Sequence, residues 1–185
     1  RDARKLDRVF YHHRMDIVSL VTLTAHLSRS IGLAQESGLE HGKDQLSLVR
    51  LLFRQRAYPQ VVETGKRLLE TQPEAPIRGA CMELMGLALK RMGDWEEMEK
   101  VWKSVLITAT DPLLAYHELA KLYEHRMRNL SDAESICVQA LQYLDTRIAL
   151  RDNPFDESLR EAFEYRLERI RRKMTRSTGD TFFDL

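Results

Sequence analysis

Near the start of the chain His12 and Asp16 stand four residues apart, a spacing that turns an imidazole and a carboxylate to the same side of a helix. Alone, such a pair is a surface contact worth about 0.2–0.5 kcal/mol; joined by further groups it becomes part of a site. His117, Glu118, Glu124 and His125 gather imidazoles and acids, but the spacing is neither H-E-x-x-H nor its inversion, so no zinc site is expected. A basic run, Arg166, Arg169, Arg171, Arg172, Lys173 and Arg176, offers phosphate contacts by counterion release, with Arg169, Arg172 and Lys173 as the candidates for nucleic acid. Asp156, Glu157, Glu161, Glu164 and Glu168 share that segment, so a solvated face is the first expectation. Arg1, Arg4, Lys5, Arg8 and Arg14 pose the same choice. No Gly-rich phosphate loop and no activated serine or cysteine nucleophile is recognisable.

The elements that position these groups follow from composition and period. The 185 residues suffice for one well-buried core, and 43% apolar with 31% charged residues, interrupted by only 8 glycines and 5 prolines, is the balance of a soluble helical protein. Twenty-nine basic and 28 acidic residues leave a formal charge of +1, so any nucleic-acid contact must come from a local patch. Cys81 and Cys137 lie in apolar helical patterns and read as reduced core thiols. The longest apolar stretch, 17–27, is broken by Ser19, Thr22, Thr24 and His26 and is shorter than the ~20 residues that cross a bilayer; a cytoplasmic location without membrane attachment is expected.

Strand alternation and hairpin dipeptides are nearly absent, so the expected fold class is all-α. Ile17, Leu20, Val21, His26 and Leu27 recur at helical steps over about 6–31, with Gly32 as the stop and 33–42 as a linker. Asp94 with Glu97 and Ser131 with Glu134 have capping-box spacing, and Asp111 precedes a proline suited to a first helical position. Helices are predicted at roughly 44–56, 59–71, 75–92, 95–109, 112–127, 132–149 and 156–175, joined by short loops that make them antiparallel neighbours. Leu159, Phe163, Leu167, Ile170 and Met174 form one stripe that suits a terminal capping helix, and 177–185 reads as a loose tail with Phe182 and Phe183 available to dock.

Overlaying these segments exposes a repeat. Met85-Gly86 and Leu89 return 34 positions later as Leu119-Ala120 and Tyr123, and Tyr58 with Val61 returns 37 positions later as Trp95 with Met98, Ala133 needing a shift of one residue. Small Gly86 and Ala120 would let paired helices approach, with Trp102 filling the gap to the next. Thirty-four is the tetratricopeptide period, and residues 44–145 resemble that family, with Met98 where it prefers alanine and Gly65 where it prefers an aromatic. The resemblance implies a short solenoid of stacked pairs, capped at the end, over residues 44–176.

The segment Val9-Phe10-Tyr11-His12-His13-Arg14-Met15-Asp16-Ile17-Val18-Ser19-Leu20 resembles the last motif of the RNase H-like, DEDD-type 3′–5′ exonucleases. More narrowly it is similar to bacterial proteins in which that domain leads into a tetratricopeptide tail through His-Asn-x-x-Asp-hydrophobic-x-Ser-Leu, His13 standing where they have asparagine. Leu119-Ala120-Lys121-Leu122-Tyr123-Glu124-His125-Arg126 and Arg166-Leu167-Glu168-Arg169-Ile170-Arg171-Arg172-Lys173 resemble that tail. The resemblance implies that Asp16 is a metal-binding carboxylate and His12 orients the attacking water, residues 1–32 being the last helix of, or the link to, the nuclease domain. Two Mg²⁺ or Mn²⁺ ions need several carboxylates, and the other three acids of the family precede this motif. A chain opening on Arg1 is accordingly expected to be the C-terminal part of a longer enzyme, catalytically incomplete and cofactor-free by itself. Its expected partner is a protein, a peptide or a neighbouring domain, with nucleic acid reached through the parent enzyme; the alternative is a stand-alone scaffold or adaptor with no nuclease connection.

Overall fold

The computed structural model describes residues 3–36, 41–150 and 153–180, with side chains for 9–25, 41–150 and 153–176. In order the helices are α1 (Ala3–Glu36), α2 (Gly42–Arg54), α3 (Tyr58–Glu70), α4 (Ala75–Met92), α5 (Trp95–Thr108), α6 (Leu113–Leu122), a π-turn (Tyr123–Met127), α7 (Leu130–Leu150) and α8 (Pro154–Asp180). Among the described residues every regular element is helical, as the period of the apolar positions dictates.

The turns explain why successive helices fold back. Gly93, at φ 78°, closes α4 in the left-handed region; its N–H reaches the Lys90 carbonyl, and the Asp94 N–H reaches that of Leu89 at 3.1 Å. The Asp94 carboxylate then accepts from the Glu97 N–H at 3.2 Å, so a single residue finishes one helix and caps the next. Arg56, Gln72 and Arg128 take the same left-handed conformation after α2, α3 and the π-turn, without being glycine.

Contacts across each turn fix the direction. On α7 and α8, Arg147 meets Asp156 at 2.8 Å, Arg160 meets Asp145 at 3.0 Å and Arg171 meets Glu134 at 2.7 Å, each pair stepping outward from the turn as antiparallel helices require. Alternate helices also associate: α2 packs on α4, and Lys90 of α4 reaches Glu118 of α6 at 2.5 Å. Paired helices are thus stacked side by side.

The positions overlaid in sequence are buried alike. Met85, Leu89, Leu119, Ala120 and Tyr123 are all buried, as are Val61, Met98 and Ala133 on the second helix of each pair. Gly86 is small because a Cβ there would lie 2.5 Å from the ring of Trp102, which is fully buried and packs with the helices on either side. Gly65 makes room for Met85 in the same way, at 2.5 Å. Burying such large side chains supplies about 1.5–3 kcal/mol each, and Phe163, Leu167 and Ile170 of α8 close the far end of this core.

Several expected boundaries move. Helix α1 passes Gly32 and runs to Glu36, because a helical glycine costs about 1 kcal/mol without removing a backbone hydrogen bond. The side chains of His26 and Leu27 lie outside the described residues. Asn129, not Ser131, caps α7, accepting from the Asp132 N–H at 3.1 Å; Arg128 ends the preceding turn so sharply that the next residue is the first available cap. Asn153 caps α8 two residues early through the Phe155 N–H at 3.1 Å, with Pro154 in the first turn. Helix α8 runs through Asp180 into the segment expected as a tail, whereas Phe182 and Phe183 lie outside the described residues. Asp156, expected on a solvated face, is fully buried beneath Arg147.

Candidate functional site

Three places hold the chemistry-bearing side chains, and the helices decide which of them meet. The first is α1. His12 and Asp16 are exposed on it, the His12 ring set edge-on to Tyr11 at 6.0 Å between centroids. Val9, Phe10, Met15, Ile17, Val18, Leu20, Val21 and Leu23 are exposed as well, and α1 touches the stack through α2. Among the described residues no group of three or more His, Cys, Asp or Glu is placed to hold a metal ion. Asp16 supplies one carboxylate, which does not suffice for a two-ion site.

The second place is the end of α6. Burial would raise the Glu124 carboxyl, but hydrogen bonds from Arg169 and Lys173, with the charges of Arg169 and His125, outweigh it and hold it down at about 2. Arg169 is bidentate, at 2.9 and 2.6 Å, Lys173 stands at 2.7 Å and Arg166 at 3.0 Å. Arg172 pairs with Glu168 one turn away. Arg169 and Lys173, singled out for phosphates, are therefore bound to a buried carboxylate and clamp α8 onto the π-turn. Nothing local marks Glu124 for this; its partners lie 42–49 residues away. Glu118 behaves alike: burial raises it, while His117 at 3.6 Å and the hydrogen bond and charge of Lys90 leave it at about 2. Glu118 and Glu124 are thus ion-pair acceptors.

The third place is a groove of about 480 Å³ bordered by α4, α6 and α8, the first helices of successive pairs with the terminal helix. Its apolar wall is Leu113, Leu114, Phe155, Leu159 and Phe163; Glu83, Asp111, His117, Arg147 and Arg166 punctuate it. Burial, then the charge of Asp111, raises the Glu83 carboxyl. Arg147 anchors one end, held at 2.6 Å by Asp111 and at 2.8 Å by Asp156. Apolar walls with a few fixed polar groups are the make-up of a site that grips an apolar segment and orients it. Sequence reading missed the groove because its residues come from four separate segments.

Cys81 and Cys137 are free and buried, and burial pushes both thiols up to about 11, which leaves them protonated and inert. Among the described residues no helix is long and apolar enough to cross a membrane.

One relative is the uncharacterized protein YprB of Bacillus subtilis (strain 168). It is 25% identical over 138 residues, which make up 74% of this chain and 33% of that protein. The chain spans about a third of that relative's length. No family model matches the chain, and no solved structure does.

Proposed function

We propose that the chain is a tetratricopeptide-like binding module forming the C-terminal part of a metal-dependent 3′–5′ exonuclease, and that it is not catalytically complete by itself. In this reading α1 packs against a neighbouring RNase H-like domain, to whose site His12 and Asp16 contribute, while the groove between α4, α6 and α8 grips a protein segment. The observation that carries it is the uncovered apolar surface of α1: Phe10 is 67%, Leu20 63% and Val21 63% exposed, on the helix that bears both candidate residues. Apolar side chains crowded along one helix mark a surface that a partner covers. The length of the relative leaves room for such a domain.

The test begins with the reading frame upstream of Arg1, searched for three further carboxylates on a strand-rich pattern, and continues with the protein that frame encodes. Asp16→Asn is expected to abolish Mg²⁺- or Mn²⁺-dependent release of nucleotides from a 3′ end, and His12→Ala to slow it at least about 100-fold, the scale of losing a positioned acid–base group. Unchanged cleavage in Asp16→Asn would remove the catalytic role. Metal-dependent nuclease activity of the 185-residue chain alone would refute its incompleteness.

A further inference from the structure

Arg166, Arg169 and Lys173 of α8 are committed to Glu124 and Arg172 to Glu168, but a further group of cations gathers elsewhere. A second cleft, of about 530 Å³, opens where the end of α4, the start of α5 and the end of α6 with its π-turn converge. Lys90, Arg91, Lys121, His125 and Arg126 line it around Trp95. Glu118 is the single carboxylate on its wall, and it is taken up by Lys90 at 2.5 Å. Arg91, Lys121 and Arg126 have no ion-pair partner among the described residues. The Arg126 guanidinium lies over the Trp95 ring at 4.7 Å. Arg126 is exposed, and a guanidinium held over an aromatic ring can give its N–H groups to a phosphate while a planar ring stacks beside it.

Cations at the ends of α4 and α6 would stabilise those helices by about 0.3–1 kcal/mol through the helix dipole. That role does not require three unpaired cations to share one cleft with an aromatic platform. We propose that this cleft binds single-stranded nucleic acid, with Arg91, Lys121 and Arg126 neutralising successive phosphates and the Trp95–Arg126 stack carrying a base. Acidic polypeptide would satisfy the cations but bring no ring to the platform, so nucleic acid uses more of what is built there. The site is separate from α1 and from the α4–α6–α8 groove and does not depend on the exonuclease reading.

The experiment is a fluorescence-anisotropy titration of a labelled, mixed-sequence single-stranded oligonucleotide with the whole chain over a range of salt. Three neutralised phosphates predict that log K falls against log salt with a slope of about −2. The variant Arg91→Gln/Lys121→Gln/Arg126→Gln is expected to lose at least about ten-fold in affinity at low salt and nearly all of that slope. Lys43→Gln/Arg50→Gln/Arg54→Gln removes the same charge from exposed positions of α2 and is expected to change affinity by less than about two-fold. Arg126→Lys keeps the charge and loses the stack, and should weaken binding by an intermediate amount. Equal losses in the two triple variants, no binding at low salt, or displacement of the oligonucleotide by equally dilute poly-glutamate would each overturn the proposal. An Arg126→Lys protein that binds like the parent would remove the platform from it.

Discussion

Replacing Glu124 by glutamine leaves Arg166, Arg169 and Lys173 converging on a neutral amide, with the shape of the side chain kept. The carboxyl is held at about 2 against an ordinary 4.5, a difference of about 2.5 pH units, equivalent to about 3.4 kcal/mol between its charged and neutral forms. Breaking a buried ion pair by removing one partner costs about 3–5 kcal/mol, but Arg169 and Lys173, 37% and 43% exposed, can turn toward water and recover part of their hydration. About 2–3 kcal/mol is the expected loss at neutral pH, or a fall in Tm of about 5–10 °C for a chain of this size. Because the folded value lies below the unfolded one, the stabilisation is complete above about pH 4.5 and disappears as pH falls toward about 2. Urea unfolding followed by far-ultraviolet circular dichroism at a series of pH values reads both effects. In Glu124→Gln the loss of stability below pH 4.5 should be shallower but not absent, since Glu118, also at about 2, titrates in the same window. Glu168→Gln, which breaks an exposed pair with Arg172, should cost under about 0.5 kcal/mol. A Glu124→Gln protein within about 0.5 kcal/mol of the parent, or with an unchanged acid slope, would show that the cluster does not clamp α8.

Gly86→Ala drives a Cβ into the Trp102 ring at 2.5 Å and should destabilise by about 1–3 kcal/mol, whereas Gly79→Ala, which meets nothing within 4 Å in the same helix, should stabilise by up to about 1 kcal/mol; thermal unfolding of the two separates packing from propensity. Gln72→Gly relieves a left-handed residue at φ 51° and is expected to raise stability by about 0.5–1 kcal/mol in the same assay. Cys81 and Cys137, buried and pushed up to about 11, should react with an aromatic disulfide reagent only as fast as the chain unfolds, and rapid labelling of the native protein would contradict their burial. Deleting residues 1–36 should leave the cooperative unfolding of the stack intact and reduce concentration-dependent association, because α1 touches the stack through α2 and leaves apolar residues such as Phe10, Leu20 and Val21 exposed; sedimentation velocity reports the second effect.

How much was legible follows from how far each signal reaches along the chain. Asp94 capping Glu97, Asp111 accepting from the Leu113 N–H at 3.2 Å and the stripe on α8 are written within a few residues, and the structure contains them. Helix ends set by a left-handed Arg56, Gln72 or Arg128 were not legible, because those residues reach that conformation through the tertiary course of the chain and carry no glycine to announce it. The π-turn at Tyr123–Met127, within a predicted helix, has no local mark either; it ends on the Asn129 N–H to the Tyr123 carbonyl at 2.9 Å and holds Glu124 toward α8.

By itself the sequence determined that the chain is helical and where most helices start, since caps, turns and period are properties of neighbours in the chain. Tertiary structure alone decided which charges are free. Arg166, Arg169 and Lys173 look like an open basic face until Glu124, 45 residues before Arg169, takes them up. Arg91, Lys121 and Arg126, scattered over three elements, become one unpaired cluster around Trp95. Charge pairing depends on which helix faces meet across the stack, and that is fixed only when the whole core has packed.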